Sequence, residues 1–179
     1  MQQPQQDRDG KRGTFNLLIL FARSLSVATT VFVRKGFGPE GIGLPGLGAV
    51  GCVIAFGSYG KSPYMMPYLY CYLFALLVQR LQTWKNQRDG VRVHSYWQGD
   101  PFLGYRLGGT DYLGAVRNEV GFCLLAGVAA LYVDPTLGAF IIASAIGTAI
   151  STSFTVELDK ARKQRLQDAQ IEAEYWSNE

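Results

Sequence analysis

Charged side chains are scarce in this sequence, and scarcest in two long blocks. Asp, Glu, Lys and Arg make up 17% of its 179 residues, against about 25% in soluble domains. From Gly36 to Val78 only Glu40 and Lys61 carry charge, and from Val120 to Val156 only Asp134 does. Uncharged blocks of that length exclude an ordinary water-facing surface there and fit segments that meet lipid. Histidine occurs once, at His94, and beyond the nearby Asp100 no serine or cysteine nucleophile stands at a recognisable spacing. The local signature of nucleophilic or acid–base catalysis is therefore missing. Cys52, Cys71 and Cys123 are isolated from one another, which rules out a metal knuckle or a Cys-x-x-Cys pair built from local spacing. No metal and no cofactor are expected. A scattered net charge of +3 gives no basic footprint for nucleic acid. The polar, Gln-rich residues 1–13 lack the order of a cleaved signal peptide and read as a disordered lead-in.

Apolar residues and glycine fill the gap: 48% of the chain is apolar and 21 residues are Gly. Five stretches approach the roughly 20 helical residues that cross a bilayer, near Thr14 to Val33, Gly41 to Ser58, Tyr64 to Gln82, Leu113 to Val133 and Thr136 to Val156. The last four pair into two hairpins, residues 36–82 and 113–156. Their turns are "GSYGKSP" and Asp134-Pro135, where Pro suits a helix's first turn and disfavours helix in the residue before it.

The stretch "AFGSYGKSP" also fits a loose phosphate-loop pattern, with Ala55, Gly60, Lys61 and Ser62 in place and "LYVD" as a stand-in for the acidic strand. Pro67 falls early in the helix that would follow, that helix is apolar all round until Gln79, and no alternation of strands with amphipathic helices comes after residue 82. A hairpin turn with a headgroup-facing lysine accounts for it better. A membrane-bound hydrolase is accordingly the least favoured reading, and the protein is expected not to be an enzyme.

Lys and Arg collect on one side. The turns hold only Lys61, whereas Arg34, Lys35, Arg80, Lys85, Arg88, Arg92, Arg106, Arg117, Lys160, Arg162, Lys163 and Arg165 fall on the other. The positive-inside rule then puts the turns outside and the central loop and C-terminus in the cytoplasm, in an inner membrane. Residues 14–35 are ambiguous, because Arg23 sits at their centre and a mid-bilayer Arg costs about 2.5 to 3.5 kcal/mol. Either this helix lies in the interface with its N-terminus inside, or it spans with Asn16, Arg23 and Thr30 facing the bundle. Arg8, Lys11 and Arg12 favour the interfacial arrangement.

Small residues recur every fourth position in the last span, at Ala139, Ala143, Gly147 and Ser151. Such stripes let helix backbones approach closely where lipid removes the hydrophobic drive. Phe122, Ala126 and Ala130, with Cys123 and Gly127, offer the preceding span as a mostly small facing surface, and self-association through the same stripe is the alternative. The glycines at 43, 46, 48, 51 and 57 thin the second stretch similarly, and a broken helix lining an ion path is the competing explanation.

Residues 83–112 mix basic residues with aromatics. Trp84, Arg92, Tyr96, Trp97, Phe102 and Tyr105 are candidate contacts for headgroups or a protein partner, and "VRVHSYW" has the alternation of a short strand. The tail, residues 157–179, has high helix propensity. Leu158, Ala161, Leu166, Ala169, Ala173 and Trp176 form a narrow apolar stripe, Arg162 and Arg165 lie near the membrane, and acidic residues follow from Asp168.

The expected fold is therefore an all-α integral membrane protein: two transmembrane hairpins, an N-terminal interfacial or spanning helix and a cytoplasmic C-terminal helix. The expected role is a non-catalytic assembly or scaffold subunit of a larger envelope or secretion-type complex. Its expected partners are the bilayer and other protein subunits, with self-association through the small-residue stripe as the alternative to hairpin packing. A small transporter or channel subunit is the alternative, with Arg23 and the span-edge pair Arg117 and Glu119 as its only ionisable candidates.

Overall fold

The structure, a computed structural model, describes the backbone of residues 5–90, 95 and 97–177; side chains are described from Asn16 onward, except at 91–94, 96, 173, 174 and 176–179. The described residues form six helices in order: α1 (Gln5–Val33), α2 (Gly43–Gly60), α3 (Met65–Arg88), α4 (Phe102–Arg106), α5 (Tyr112–Leu131) and α6 (Pro135–Ser177). Among the described residues no strand forms, and the sole β feature is a single bridge between Lys35 and Asp100.

Local chemistry sets the helix ends. Asp134 precedes Pro135, and its Oδ1 accepts from the Leu137 amide at 2.7 Å, so an N-cap and a first-turn proline start α6. Asp111 starts α5 the same way, accepting from the Gly114 amide at 3.1 Å. Lys61 ends α2 in the left-handed conformation, with φ +48°. Pro67 falls in the first turn of α3, where its missing N–H removes no helical bond, because that helix begins at Met65. α1 is already helical at Gln5, inside the stretch whose composition reads as disordered.

Helix directions follow from matched contacts. A Cβ at Gly127 would press on Ile142, and one at Gly138 on Leu131, which sets α5 and α6 antiparallel along each other. Tyr68 donates to the Ala28 carbonyl, Gln79 to the Val31 and Arg34 carbonyls, and Thr83 reaches Phe37. Both chains advance together, so α3 runs parallel to α1. Gly147 meets Ala22, Leu25 and Ser26, and Ser151 shares a cavity with Ser26 and Thr30, which makes α6 parallel to α1 as well. α2 and α5 run the other way. The turns at 61–64 and 132–134 therefore share one end of the bundle with the start of the packed part of α1. Residues 34–42 and 95–111 occupy the opposite end.

Phe140 of α6 lies at the centre of the apolar core, edge-on to Phe56 at 5.2 Å and to Tyr68 at 5.5 Å. Leu25, Ala28, Val31, Ala49, Val53, Met65, Leu69 and Tyr72 close around it. Polar side chains are also inside: Ser24, Ser26, Thr29, Thr30, Gln79, Thr83, Glu119, Ser144, Thr148, Ser151 and Thr152 are all buried. Large apolar ones are outside, among them Leu17, Phe21, Leu47, Ile54, Phe74, Leu77, Leu125 and Ile146. This distribution inverts that of a water-soluble bundle.

Among the described residues four helices are long and apolar enough to cross a membrane, by length and composition: α1 over Asn16–Val33, α2, α5 and α6. α3, counted from the sequence as a span, is not among them; its tyrosines and the polar turn beginning at Gln79 dilute its hydropathy. Residues 24–31 of α1 are buried without interruption. That segment is enclosed by α2, α3 and α6 and does not lie along the bundle's outer surface.

Candidate functional site

The polar interior is most developed at the end where α1 stops. Immediately after α1, Arg34 turns inward and its Nε donates to both carboxylate oxygens of Glu119 on α5, at 2.9 and 3.0 Å. Both side chains are shut off from solvent. Desolvating two charges costs several kcal/mol each, and their attraction offsets this only when the geometry is close. Nη1 and Nη2 of Arg34 have no hydrogen-bond partner among the described residues.

Three residues of α3 hold the segment that follows Arg34. The Gln79 side-chain amide donates to the carbonyls of Val31 (3.2 Å) and Arg34 (2.8 Å). It thereby takes over carbonyls that a helix end leaves without partners. The Thr83 hydroxyl lies 3.1 Å from the Phe37 carbonyl and 2.9 Å from that of Gln79. Arg80 donates to the Pro39 carbonyl at 3.1 Å.

The central loop closes the same end. Lys35 and Asp100 exchange both backbone bonds, at 3.2 and 2.7 Å, Gly38 donates to Trp97, and Glu40 and Gly41 donate to Ser95. Two glycines permit this approach: Gly99 has φ +80°, and a Cβ on Gly41 would collide with the Trp97 carbonyl. Gln98 enters the bundle from this loop, donating to the hydroxyls of Ser151 (3.0 Å) and Thr155 (3.2 Å) on α6. Beneath it lies a small cavity of mixed lining, with Arg23, Ser26, Thr30, Gln98 and Ser151 beside Val27, Phe37 and Gly41, and room for about one water molecule. Trp97 packs on Tyr112 with ring centroids 5.5 Å apart.

The hydroxyls between α1 and α6 are mostly satisfied by their own helices. Ser24, Thr30, Ser144, Thr148 and Thr155 each donate to the carbonyl four residues earlier, at 2.9 Å. Such bonds let polar residues line a helix contact without requiring water.

The residues singled out from sequence distribute unevenly over this architecture. Arg23 lines the cavity, half-buried, on the inner side of α1. Gly147 and Ser151 are buried, but Gly147 packs on α1, not on α5. Ala139 and Ala126 are exposed, and Ala143 and Ala130 half-buried. The close approach of α5 to α6 runs through Gly127, which belongs to the expected facing surface, and Gly138, one position before the expected stripe on α6. Trp84 and Tyr105 are exposed, Trp97 is partly covered, and Phe102 stands between Lys35 and Arg106. Arg162 and Arg165 are exposed on α6. Arg92, His94, Tyr96 and the Trp176 side chain lie outside the described residues, as does most of the "VRVHSYW" alternation. Residues 55–60, the start of the phosphate-loop pattern, belong to α2, so their amides are engaged in helix and form no loop around an anion.

Sequence reading missed the pairing of Arg34 with Glu119 and the roles of Gln79, Thr83 and Gln98. The available signal was Glu119 itself, a carboxylate near the start of an apolar block, which demands a cation. No protein-family model, no curated protein and no solved structure matches the chain.

Proposed function

We propose that this chain is a membrane-embedded, non-catalytic assembly subunit that presents its C-terminal helix to a neighbouring protein. The carrying observation is α6, a single helix of 43 residues, about 64 Å long at 1.5 Å per residue. Its first half packs in the bundle, and every residue from 157 to 172 is exposed. That outer part has no tertiary support, and most helical stability in proteins comes from packing an apolar face, so a partner is the natural cover for its stripe. Leu158 and Leu166 stand in the apolar stripe, with Lys160, Arg162, Lys163 and Arg165 near the bundle and Asp168 and Glu172 farther out. The partner surface that fits is an apolar strip flanked by acidic and then basic side chains.

Membrane embedding is supported by the inverted polarity of the bundle and by the four apolar helices. Exposed aromatics at both ends match an aromatic belt: Tyr59 (96%) and Tyr132 (91%) at the turn end, Trp84 and Tyr105 at the other. The charge bias supports a cytoplasmic loop end, because Lys35, Arg80, Lys85, Arg88 and Arg106 gather there while the turns hold only Lys61. The buried, parallel course of α1 supports the spanning arrangement over the interfacial one, with the start of α1 at the turn end.

A transporter or channel subunit draws support from the polar seam and the Arg23 cavity. It is the weaker reading, since most of the seam's hydroxyls are bonded within their own helices and the cavity holds no more than a water. Deleting residues 157–179 tests the proposal. Proteins that co-purify with the full chain from mild detergent should be lost while the truncated chain stays in the membrane fraction. Recovery of the same proteins without the tail overturns the proposal.

A further inference from the structure

The outer part of α6 is complementary to itself. About Gln167 its sequence runs in mirror order with charge reversed: "KAR" at 160–162 is answered by "EAE" at 172–174, Gln164 by Gln170 and Leu158 by Trp176. At 3.6 residues per turn, Leu158, Ala161, Arg162, Arg165, Ala169 and Glu172 share one helix face. All six are exposed. Among the described residues none of Arg162, Arg165, Asp168 and Glu172 forms an ion pair, and the pair of Glu157 with Lys160 falls off this face.

Two such faces can meet in two directions. Side by side in the same direction, the arginines of one copy stand against those of the other and Glu172 against Glu172, so like charges oppose each other. In opposite directions, crossing at Gln167, Arg162 stands level with the partner's Glu172 and Arg165 beside the partner's Asp168. Ala161 then meets the same turn as the partner's Glu172. Every contact occurs twice, as a two-fold isologous interface requires. We propose that the tail's partner is the tail of a second copy of this chain, paired antiparallel about Gln167. This rests on the tail-presenting reading above and names its partner, because an apolar strip flanked by acidic and then basic side chains is the tail itself read backwards.

The pairing also fixes where the second copy sits. α6 is one continuous helix, so copies in one membrane point their tails the same way and meet in the repulsive direction. Antiparallel tails join copies seated in two facing membranes. The length of the tail matches: with the crossing at Gln167, the end of α6 at Ser177 comes level with the partner's Glu157, where the exposed part begins. The two bundles then stand about 30 Å apart at 1.5 Å per residue. Exposed ion pairs are individually weak, so adhesion depends on many tails acting between two surfaces.

The full chain in phosphatidylcholine vesicles of two dye colours tests this, with clustering read by fluorescence cross-correlation; the neutral headgroup keeps basic tails off the lipid. Wild-type vesicles should cluster. Arg162→Glu with Arg165→Glu makes the face acidic throughout, and Asp168→Arg with Glu172→Arg makes it basic throughout. Each double variant by itself should cluster about tenfold less than the wild type, and vesicles of one mixed with vesicles of the other should cluster again. All four positions are exposed, and circular dichroism establishes that each variant is helical. Double variants that cluster alone as well as the wild type does, or a mixture that stays dispersed, overturn the pairing. Direction is read by disulfides in a chain with Cys52, Cys71 and Cys123 replaced by serine or alanine: Ala161→Cys should cross-link to Glu172→Cys, and an Ala161→Cys chain cross-linked to itself overturns the antiparallel arrangement. Wild-type vesicles that stay dispersed, while other proteins still co-purify through residues 157–179, overturn the second copy as partner and leave the tail-presenting reading standing. A tail that neither clusters vesicles nor retains proteins overturns both.

Discussion

Arg34 and Glu119 are 85 residues apart in sequence, yet one guanidinium nitrogen reaches both carboxylate oxygens, at 2.9 and 3.0 Å, in a place closed to solvent. The pair joins the end of α1 to the second turn of α5. Both of its side chains are shut off from solvent, whereas those of Glu157 and Lys160 pair on the exposed tail. Removing one partner strands a buried charge. Arg34→Met or Glu119→Leu alone should therefore destabilise the bundle by about 3–5 kcal/mol. The double variant should recover much of that loss. Unfolding in detergent, read as a double-mutant cycle, checks this; additive losses would show that the two residues do not act as a pair.

Gly147 is the tightest point between α6 and α1, with a Cβ there falling 2.9 Å from the Ala22 carbonyl oxygen and from Leu25 Cβ. Gly147→Leu should cost at least the 1–3 kcal/mol typical of overpacking, whereas Ala126→Leu and Ala139→Leu, on exposed positions, should be close to neutral. Thermal unfolding of the three variants decides. Equal losses would mean the α5–α6 face carries the stripe after all.

Gln79 and Thr83 tie α3 to the segment after α1. Gln79→Leu leaves the Val31 and Arg34 carbonyls without their donor, at a cost of about 1–3 kcal/mol, and should loosen residues 34–41 first. Hydrogen exchange at the Gly38, Glu40 and Gly41 amides, which bond to Trp97 and Ser95, should accelerate before the helices do. Unaltered exchange would remove α3 from this role.

Parallel α1 and α6 fix a topology once the bundle is in a bilayer. With Cys52, Cys71 and Cys123 replaced by serine or alanine, a membrane-impermeant maleimide should label Tyr59→Cys and an N-terminal cysteine from one side, and Lys85→Cys from the other. Labelling of the N-terminal cysteine from the Lys85 side would restore the interfacial arrangement of α1.

Asp134 caps the longest helix. Asp134→Ala should cost about 1 kcal/mol of stability, seen as a lower unfolding temperature, while Asp134→Ser should retain most of it. An unchanged Ala variant would show that Pro135 alone sets the start of α6.

The all-helical fold, the apolar stretches and the Asp134-Pro135 turn could be read from the chain because each depends on neighbours in sequence. Charge-free runs specify helices that avoid water, and caps specify where they begin. The sequence likewise marked small residues in α6 as contact points. Gly127 does meet α6, while Gly147 meets α1, because a stripe records the need for close approach and not the identity of the helix approached. The phosphate-loop pattern shows the reverse limit, since six residues that match a loop were taken into a helix by the apolar run around them.

Composition and local order thus determined that the chain forms long apolar helices, with its basic residues biased away from the two turns. Only the tertiary structure decided that α1 is enclosed, that Glu119 takes Arg34 as its cation, and that Gln98 closes the bundle over Ser151. The reason is physical. A helix is stabilised by bonds within four residues, so its signal is local, whereas a buried charge or carbonyl is satisfied by whichever group the packed fold brings within 3 Å, at any distance along the chain.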